Sequence, residues 1–347
     1  MFEIRPYEGS PEELAKFVTP IWVRAYAESM CVPLWTPEFL TWALDWSQRD
    51  HLVTAWDGTR LIGCLLANVY EMHYLGELVK GTQCSYLTVD PEYRRRGIAN
   101  LMVEQQRKVN VEQQIAFELG YLYTGNQRSM GPKFWRKRQS MNQVTSAGFW
   151  VRNLDHRAVA DWTPSGLDRV GAKLLSLFQR SPRRSTKDRI RDFQTSDLAS
   201  CRELINEVTQ RSELGILWED DNLLRQLQSP EIVRTLVWEE QQQIRGFINY
   251  CRLEFQANGV ITVGLIDVVS LQRLASQEQV EMLEHTLSEM AEEGIELVML
   301  LRPGPAKSLS LIRSGFVPRL KDFILQLQPT SKEFTVKKTT ALNILWR

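Results

Sequence analysis

The chain has 347 residues with Lys plus Arg and Asp plus Glu equal at 42 each, so no overall field draws it to nucleic acid or to an anionic membrane. Its length favours two domains of ordinary size, each able to bury its own core. The cysteines Cys31, Cys64, Cys84, Cys201 and Cys251 are odd in number and never form a C-x-x-C pair, which argues against a disulfide framework or a zinc knuckle. With a charged N-terminus and no apolar run approaching the ~18 residues of a membrane span, a cytoplasmic protein is expected.

In chain order, Phe2 to Tyr7 predicts an opening strand, and Ser10-Pro-Glu-Glu-Leu14 a helix start capped by Ser10, with Pro11 in the first turn. Trp22, Tyr26, Trp35, Phe39, Trp42 and Trp46 crowd the stretch from Ile21 to Trp46, as expected of helix faces packed on a sheet. His51 to Trp56, Asp57-Gly58 and Arg60 to Tyr70 predict a hairpin, and Gly76 and Gly81 bound a second turn before the strand Thr82 to Val89. Asp90-Pro91 stops that strand, Arg94 to Gly97 makes a basic turn, and Ile98, Leu101 and Met102 open a helix running toward Glu118. Tyr121 to Thr124 is the next short strand. Arg128 to Arg138 carries only basic charge around Phe134 and Trp135, and Val144 to Asp155 closes the first unit.

A helix N-terminus leaves backbone N–H groups without partners and carries about half a positive charge, so the basic turn is a ready phosphate site. Gly97 keeps the approach open, and Ala99 costs the helix nothing. The spacing Arg94-x-x-Gly97-x-Ala99, directly after Leu87-Thr88-Val89 and Pro91, resembles the acyl-CoA signature of the GCN5-related N-acetyltransferases (GNAT). The resemblance implies an α/β fold with a mixed sheet and an acetyl-CoA site. It assigns the cofactor to Leu87, Thr88, Val89, Arg94, Arg95, Arg96, Gly97, Ile98, Ala99 and Asn100, with Asn126 after the following strand. It implies acyl transfer to the amine of a small molecule or peptide, while the balanced charge and the lack of a long apolar run leave neither nucleic acid nor membrane expected as partner. It also gives the aromatic stretch a second reading as an acceptor pocket, and Lys133, Arg136 or Lys137 one as phosphate contacts.

Beyond a linker over 158–187, with one short helix from Leu167 to Phe178, the plan repeats. Asp188 to Phe193 echoes Phe2 to Tyr7, Gln243 to Phe247 echoes Arg60 to Cys64, and Ala291 to Ile295 echoes Ala116 to Tyr121. Leu311 to Phe316 resembles the family's closing Gly-Phe. Two tandem GNAT-like domains are therefore expected, over 1–157 and 188–347. The second copy runs Val268 to Ser276 without a glycine, and its helix carries Glu278, Glu281, Glu284, Glu289 and Glu292 with no Lys or Arg. Such a helix repels phosphates, so this copy reads as degenerate, used for packing or for shaping the acceptor site.

For the chemistry, the resemblance assigns the oxyanion donor to the backbone N–H of Val89 and places Gln83 where relatives often carry a glutamate base. An amide cannot accept a proton at pH 7 but can orient a water. Trp135 falls where relatives often have a tyrosine acid, and Tyr123 is the substitute candidate. A sensor that binds acyl-CoA without turnover is the alternative that Gln83 and Trp135 favour, and a nucleic-acid adaptor using the basic stretches is weaker. His51, His73, His156 and His285 show no metal-ligand spacing.

Overall fold

Strand β1 (Glu3–Pro6) leads into helix α1 (Pro11–Tyr26), where Ser10 stands in extended backbone and its hydroxyl accepts the Glu13 N–H. After β2 (Val32–Pro33) and α2 (Pro37–Ala43) comes a meander of β3 (Leu52–Asp57), β4 (Arg60–Tyr74) and β5 (Glu77–Val89). Its second turn lies at Leu75-Gly76, and Gly81 sits inside β5 instead of bounding that turn. A Cβ on Gly81 would stand 2.7 Å from Met72 Sδ and from the Phe117 ring, so packing demands this glycine. Helix α3 (Ile98–Glu112) ends earlier than its apolar spacing suggested, because β6 (Phe117–Tyr123) already includes Glu118. Strand β7 (Asn142–Asn153) and α4 (His156–Trp162) follow. The computed structural model describes residues 2–123, 134, 142–163, 180–185, 188–229, 231–319 and 321–346, so the expected linker helix over 167–178 lies outside the described residues.

The second half has the same order. It runs β8 (Ile190–Asp192), α5 (Leu198–Gln210), β9 (Leu214–Ile216) and α6 (Asp220–Leu227), then a meander of β10 (Val233–Glu240), β11 (Gln243–Gln256) and β12 (Val260–Ser270). Helix α7 (Ser276–Glu292), β13 (Leu297–Arg302), α8 (Ser308–Arg313), β14 (Val317–Pro318), β15 (Phe323–Pro329) and β16 (Leu342–Asn343) complete it. In each half a crossover helix, α3 or α7, joins two parallel strands, β5 to β6 and β12 to β13, as a parallel pair requires. The third echo is out of register. Gly294 has φ 76 after α7 and Ile295 N–H returns to the Met290 carbonyl; the matching residues are Gln114, with φ 57, and Ile115, bonded to the Asn110 carbonyl. A left-handed glutamine holds the place that the echo gave to Gly120.

The halves do not close separately. The sheet order is β1-β3-β4-β5-β6-β15-β7-β13-β12-β11-β10-β8, so β15, late in the second half, inserts between β6 and β7 of the first. Strand β7 is shared as well: Asn142 to Ala147 pairs with β15, and Gly148 to Asn153 pairs with β13. The change of partner falls at Gly148, where a Cβ would meet the Arg319 carbonyl oxygen at 2.2 Å. The largest core cluster is correspondingly common to both halves, while each half also buries a smaller one of its own, around Met102 beneath α3 and around Leu283 beneath α7. Trp346 stacks on Phe255 of β11 at 6.3 Å and meets Phe149 of β7 edge-on at 5.2 Å, contacts typically worth ~0.5–1.5 kcal/mol each beyond burial.

Arginines outside α7 face its acidic side. Arg184 pairs with Glu289 at 2.9 Å and Glu292 at 3.3 Å, the Arg183 N–H donates to Glu284, and Arg234 reaches both Glu289 and Glu293. The acidic face of α7 is thus bound by arginines of the same chain.

Candidate active site

The site begins where β5 and β6 part. Their parallel pairing covers only Gly81 to Gln83 against Phe117 to Leu119, and past these residues the strands diverge. On the other edge of β5 the register against β4 slips between Cys64 and Leu66, and Tyr86 takes φ 59 in this bulge. A bulky residue in the left-handed region is strained, and such bulges re-aim backbone groups beside functional sites. The Asp90 N–H donates to the Ile62 carbonyl at 2.9 Å, across β4. Donors alternate edges along a strand, so the N–H of Val89 points to the open side, into the gap between β5 and β6.

Beyond Val89 the chain makes a short 3₁₀ turn, Pro91–Tyr93, capped by the Asp90 carboxylate, which accepts the Glu92 N–H. Arg94 folds back so that its Nε donates to the Val89 carbonyl at 3.3 Å. Arg95 and Gly97 then take φ 66 and φ 82, which set the backbone for α3. No side chain among the described residues caps α3. The Leu101 N–H makes the first intrahelical bond, to Gly97, and Ile98, Ala99 and Asn100 before it line the cavity mouth. A Cβ on Gly97 would meet no atom within 4 Å, so its constraint is conformational and the space before it is open. The corresponding start of α7 carries a carboxylate instead: Glu278 accepts the Ala275 N–H at 2.8 Å, and Arg273 is held by Glu203 and Glu207.

A cavity of about 830 Å³ runs from this turn through the strand gap. Its mouth is formed by Arg94, Arg95, Gly97, Ile98, Ala99 and Asn100, and its waist by Ser85 to Val89 and Gly120 to Tyr123. The far wall joins Trp22, Tyr26, Trp35 and Phe39 of the first half to Leu253, Leu265 and Trp346 of the second. The Trp22 indole N–H donates to Thr88 Oγ1 at 2.8 Å, and Trp35 meets both Trp22 and Tyr86 edge-on at 5.1 Å. Trp42 instead is buried between the halves, donating to the Arg225 carbonyl. The aromatic stretch therefore divides between pocket wall and core.

The structure brings Leu87, Thr88, Val89, Arg94, Arg95, Gly97, Ile98, Ala99, Asn100 and Tyr123 onto this cavity. Arg96 is not on its wall; it lies over the Tyr93 ring at 4.8 Å and donates to the Glu92 carbonyl. Gln83 is not on the wall either. It is buried, and its Nε2 donates to the Leu345 carbonyl at 3.0 Å, so it holds the C-terminal segment beside Trp346. Asn126 and the basic residues of 128–138 lie outside the described residues, whereas Phe134 lines the cavity. Tyr123 hydrogen-bonds with Trp346, and burial above all pushes its hydroxyl pKa up, so it stays protonated.

Three features were missed in the sequence. Glu118, 3% exposed, is the one carboxylate on the wall among the described residues. It stands beside Cys84, whose thiol is pushed well up by burial and then by this carboxylate. A glutamate inside the apolar run Ala116 to Leu119 was the available signal. Trp346, and Leu253 with Leu265, had none, because strand exchange alone brings them here. No group of three His, Cys, Asp or Glu among the described residues could hold a metal ion.

Residues 16–124 match the family described as an acetyltransferase (GNAT) domain. Residues 16–124 form a GNAT domain. Among solved structures, Saccharomyces cerevisiae N-myristoyltransferase with bound myristoyl-CoA is similar over 100% of this chain and 89% of its own, with TM-score 0.77 at 13% identity. A GCN5-related N-acetyltransferase from Anabaena variabilis is similar over 95% of this chain and 73% of its own, with TM-score 0.55 at 14% identity. At these identities the likeness shows the fold, a GNAT fold in two halves. No curated protein matches the sequence.

Proposed function

We propose that this protein is an acyl-CoA-dependent N-acyltransferase acting on the amine of a small molecule or peptide. The observation that carries the reading is the continuous cavity from the uncapped start of α3, through the gap between β5 and β6, to an aromatic chamber. Phosphates fit the first part, the thioester arm can pair with the open edge of β5, and the acceptor can meet the thioester at the waist. The Val89 N–H points where a tetrahedral oxyanion would form, and such a donor is typically worth ~2.7–4 kcal/mol of barrier. Tyr123, held protonated, can donate a hydrogen bond to the leaving sulfur. Gln83 takes no proton and does not reach the wall, so the amine arrives neutral or gives its proton to water.

The signature supports acetyl as the transferred group. A longer acyl chain is the second reading, favoured by the apolar lining beyond the waist, to which Leu253, Leu265 and Trp346 of the second half contribute. The yeast structure with myristoyl-CoA shares the fold and supports the same reading.

Titration with acetyl-CoA and longer acyl-CoAs should show one site per chain, since the start of α7 carries Glu278 and repels phosphates. Gly97→Val should remove binding while the fold survives. A β-branched residue at φ 82 costs ~1–3 kcal/mol and resets the turn, and its branches fill the mouth. Thiol release with a panel of amines then measures turnover. Unchanged acyl-CoA affinity in Gly97→Val would contradict the assigned site, and binding with no thiol release for any amine would leave the sensor reading in its place.

A further inference from the structure

The far part of the large cavity is walled by rings. Tyr26, Trp22, Trp35 and Tyr86 meet in succession at centroid distances of 5.3, 5.1 and 5.1 Å, each pair edge-on, and Phe39 and Trp346 stand on the same cavity wall. The hydrogen-bonding groups between these rings are already engaged. Thr88 Oγ1 accepts the Trp22 indole N–H and donates to the Tyr86 carbonyl, both at 2.8 Å, and the Tyr121 hydroxyl donates to the Leu345 carbonyl.

Negative charge is missing from this chamber. Glu118 is the one carboxylate on the cavity wall among the described residues, and it belongs to the α3 side. It accepts from Asn110 Nδ2 at 3.5 Å and stands beside Cys84, which clusters with Met102 and Val103 of that helix. Tyr86 belongs instead to the main core cluster, against which Trp22 and Trp35 pack. In sequence, residues 124–141, which include Phe134 of the wall, hold basic residues and no Asp or Glu.

A polyamine or an amino sugar presents several ammonium groups, and each would enter this chamber without a counter-charge, at a cost that nothing on the wall offsets. A single amine on an aromatic body avoids that cost. Its ring can continue the edge-on series of Trp22, Trp35 and Tyr86, and its one nitrogen sheds its proton on entry, because removal from water disfavours the charged form. Resting on the acyltransferase reading, we infer that the acceptor is a monoamine with an aromatic body, bound neutral with its ring in this chamber and its nitrogen at the waist. Desolvation then supplies the deprotonation that Gln83 cannot. The first proton goes to bulk water on entry; the second, released as the C–N bond forms and the C–S bond breaks, balances the departing thiolate.

The test uses the full chain saturated with free coenzyme A, so that no transfer occurs, and titrates 2-phenylethylamine and spermidine by calorimetry at pH 7, 8 and 9. The apparent affinity for 2-phenylethylamine should be saturable and should rise roughly tenfold per pH unit, as the neutral fraction of the amine does. Spermidine should bind at least roughly tenfold more weakly. Trp35→Leu should bring the two affinities together, and should that variant fail to fold, the parent's preference and pH slope decide. Thiol release from acetyl-CoA is then followed with both amines. Saturable, pH-dependent binding without release would remove the acyltransferase reading and leave the aromatic monoamine site standing, whereas a higher kcat/KM for spermidine would keep that reading and overturn this one. Equal affinities, a flat pH response or no saturable amine binding would likewise overturn the proposal; tighter binding of lauroyl-CoA than of acetyl-CoA in that last case would give the chamber to the acyl chain.

Discussion

Gln83 donates to the Leu345 carbonyl from a site 5% exposed, so its amide serves the C-terminal segment and not a reacting amine. In the sequence it stands where relatives carry a glutamate, so a glutamate introduced there would be expected to act as a base. The structure reverses that expectation. An ionised carboxylate would face a carbonyl oxygen, leaving two acceptors and no proton between them, with a typical cost of ~1–3 kcal/mol or more for the charged group. In its protonated form the introduced carboxyl could donate its O–H to the same carbonyl. The folded-state pKa of the introduced glutamate should therefore lie above its unfolded value of about 4.3. A raised pKa gives stability that is present below the unfolded value and lost as pH rises through the folded one. Gln83→Glu should match the parent near pH 4 and fall progressively below it toward pH 8, measured by chemical denaturation across that range. A constant difference at every pH would show that the side chain escapes to water.

At the scale of elements, the two copies of the crossover helix differ in what covers their first turn, and this was legible. Gly97 against an acidic, glycine-free counterpart points to one helix start suited to an anion and one that repels it, and Glu278, on the Ala275 N–H, stands at the second. Helix ends came out less well: α3 stops at Glu112 because Gln114 adopts a left-handed conformation, which nothing in its side chain announces. The junction between β8 and α5 was also opaque, since it depends on an arginine and an aspartate brought together by a short turn. Asp197 accepts two bonds from Arg191, at 2.7 and 2.9 Å, and one from the Gln194 N–H at 2.8 Å. Burial alone would raise its pKa, but these donors outweigh it and hold the carboxyl below its ordinary value. A depressed pKa stabilises above the unfolded value of about 3.9, and that contribution is lost as pH falls through the folded value. Asp197→Asn should lower stability at pH 7, by about 1–3 kcal/mol. The gap between parent and variant should narrow as pH falls below about 3.9. Thermal melts at pH 7, 5 and 3 check this, and a gap as wide at pH 3 as at pH 7 would assign the effect to packing.

For the whole molecule, the sequence announces two copies but not their exchange. Each strand that crosses has the alternation and length of a strand that stays, and a repeat read along the chain cannot say which copy of a strand fills which slot. Gly148 marks the crossing, yet its reason is the Arg319 carbonyl, a contact between distant parts of the chain. The exchange has an energetic consequence. Without β15, strand β6 has an open edge and the first half of β7 no partner; without β7, strand β13 is left the same way. Such long apolar edges favour aggregation. Residues 1–157 or 188–347 expressed alone should therefore be poorly folded, while the intact chain should unfold in one cooperative transition with calorimetric and van't Hoff enthalpies in agreement. Co-expression of the two pieces should restore a complex, because the exchanged strands supply each sheet's missing member whether or not the chain is continuous, as in domain swapping. Calorimetry of the intact chain, with size-exclusion chromatography and circular dichroism of the pieces, makes the comparison. A monomeric, fully folded 1–157 fragment would falsify the dependence argued here, because it would show that the first half closes its sheet without the strand it borrows.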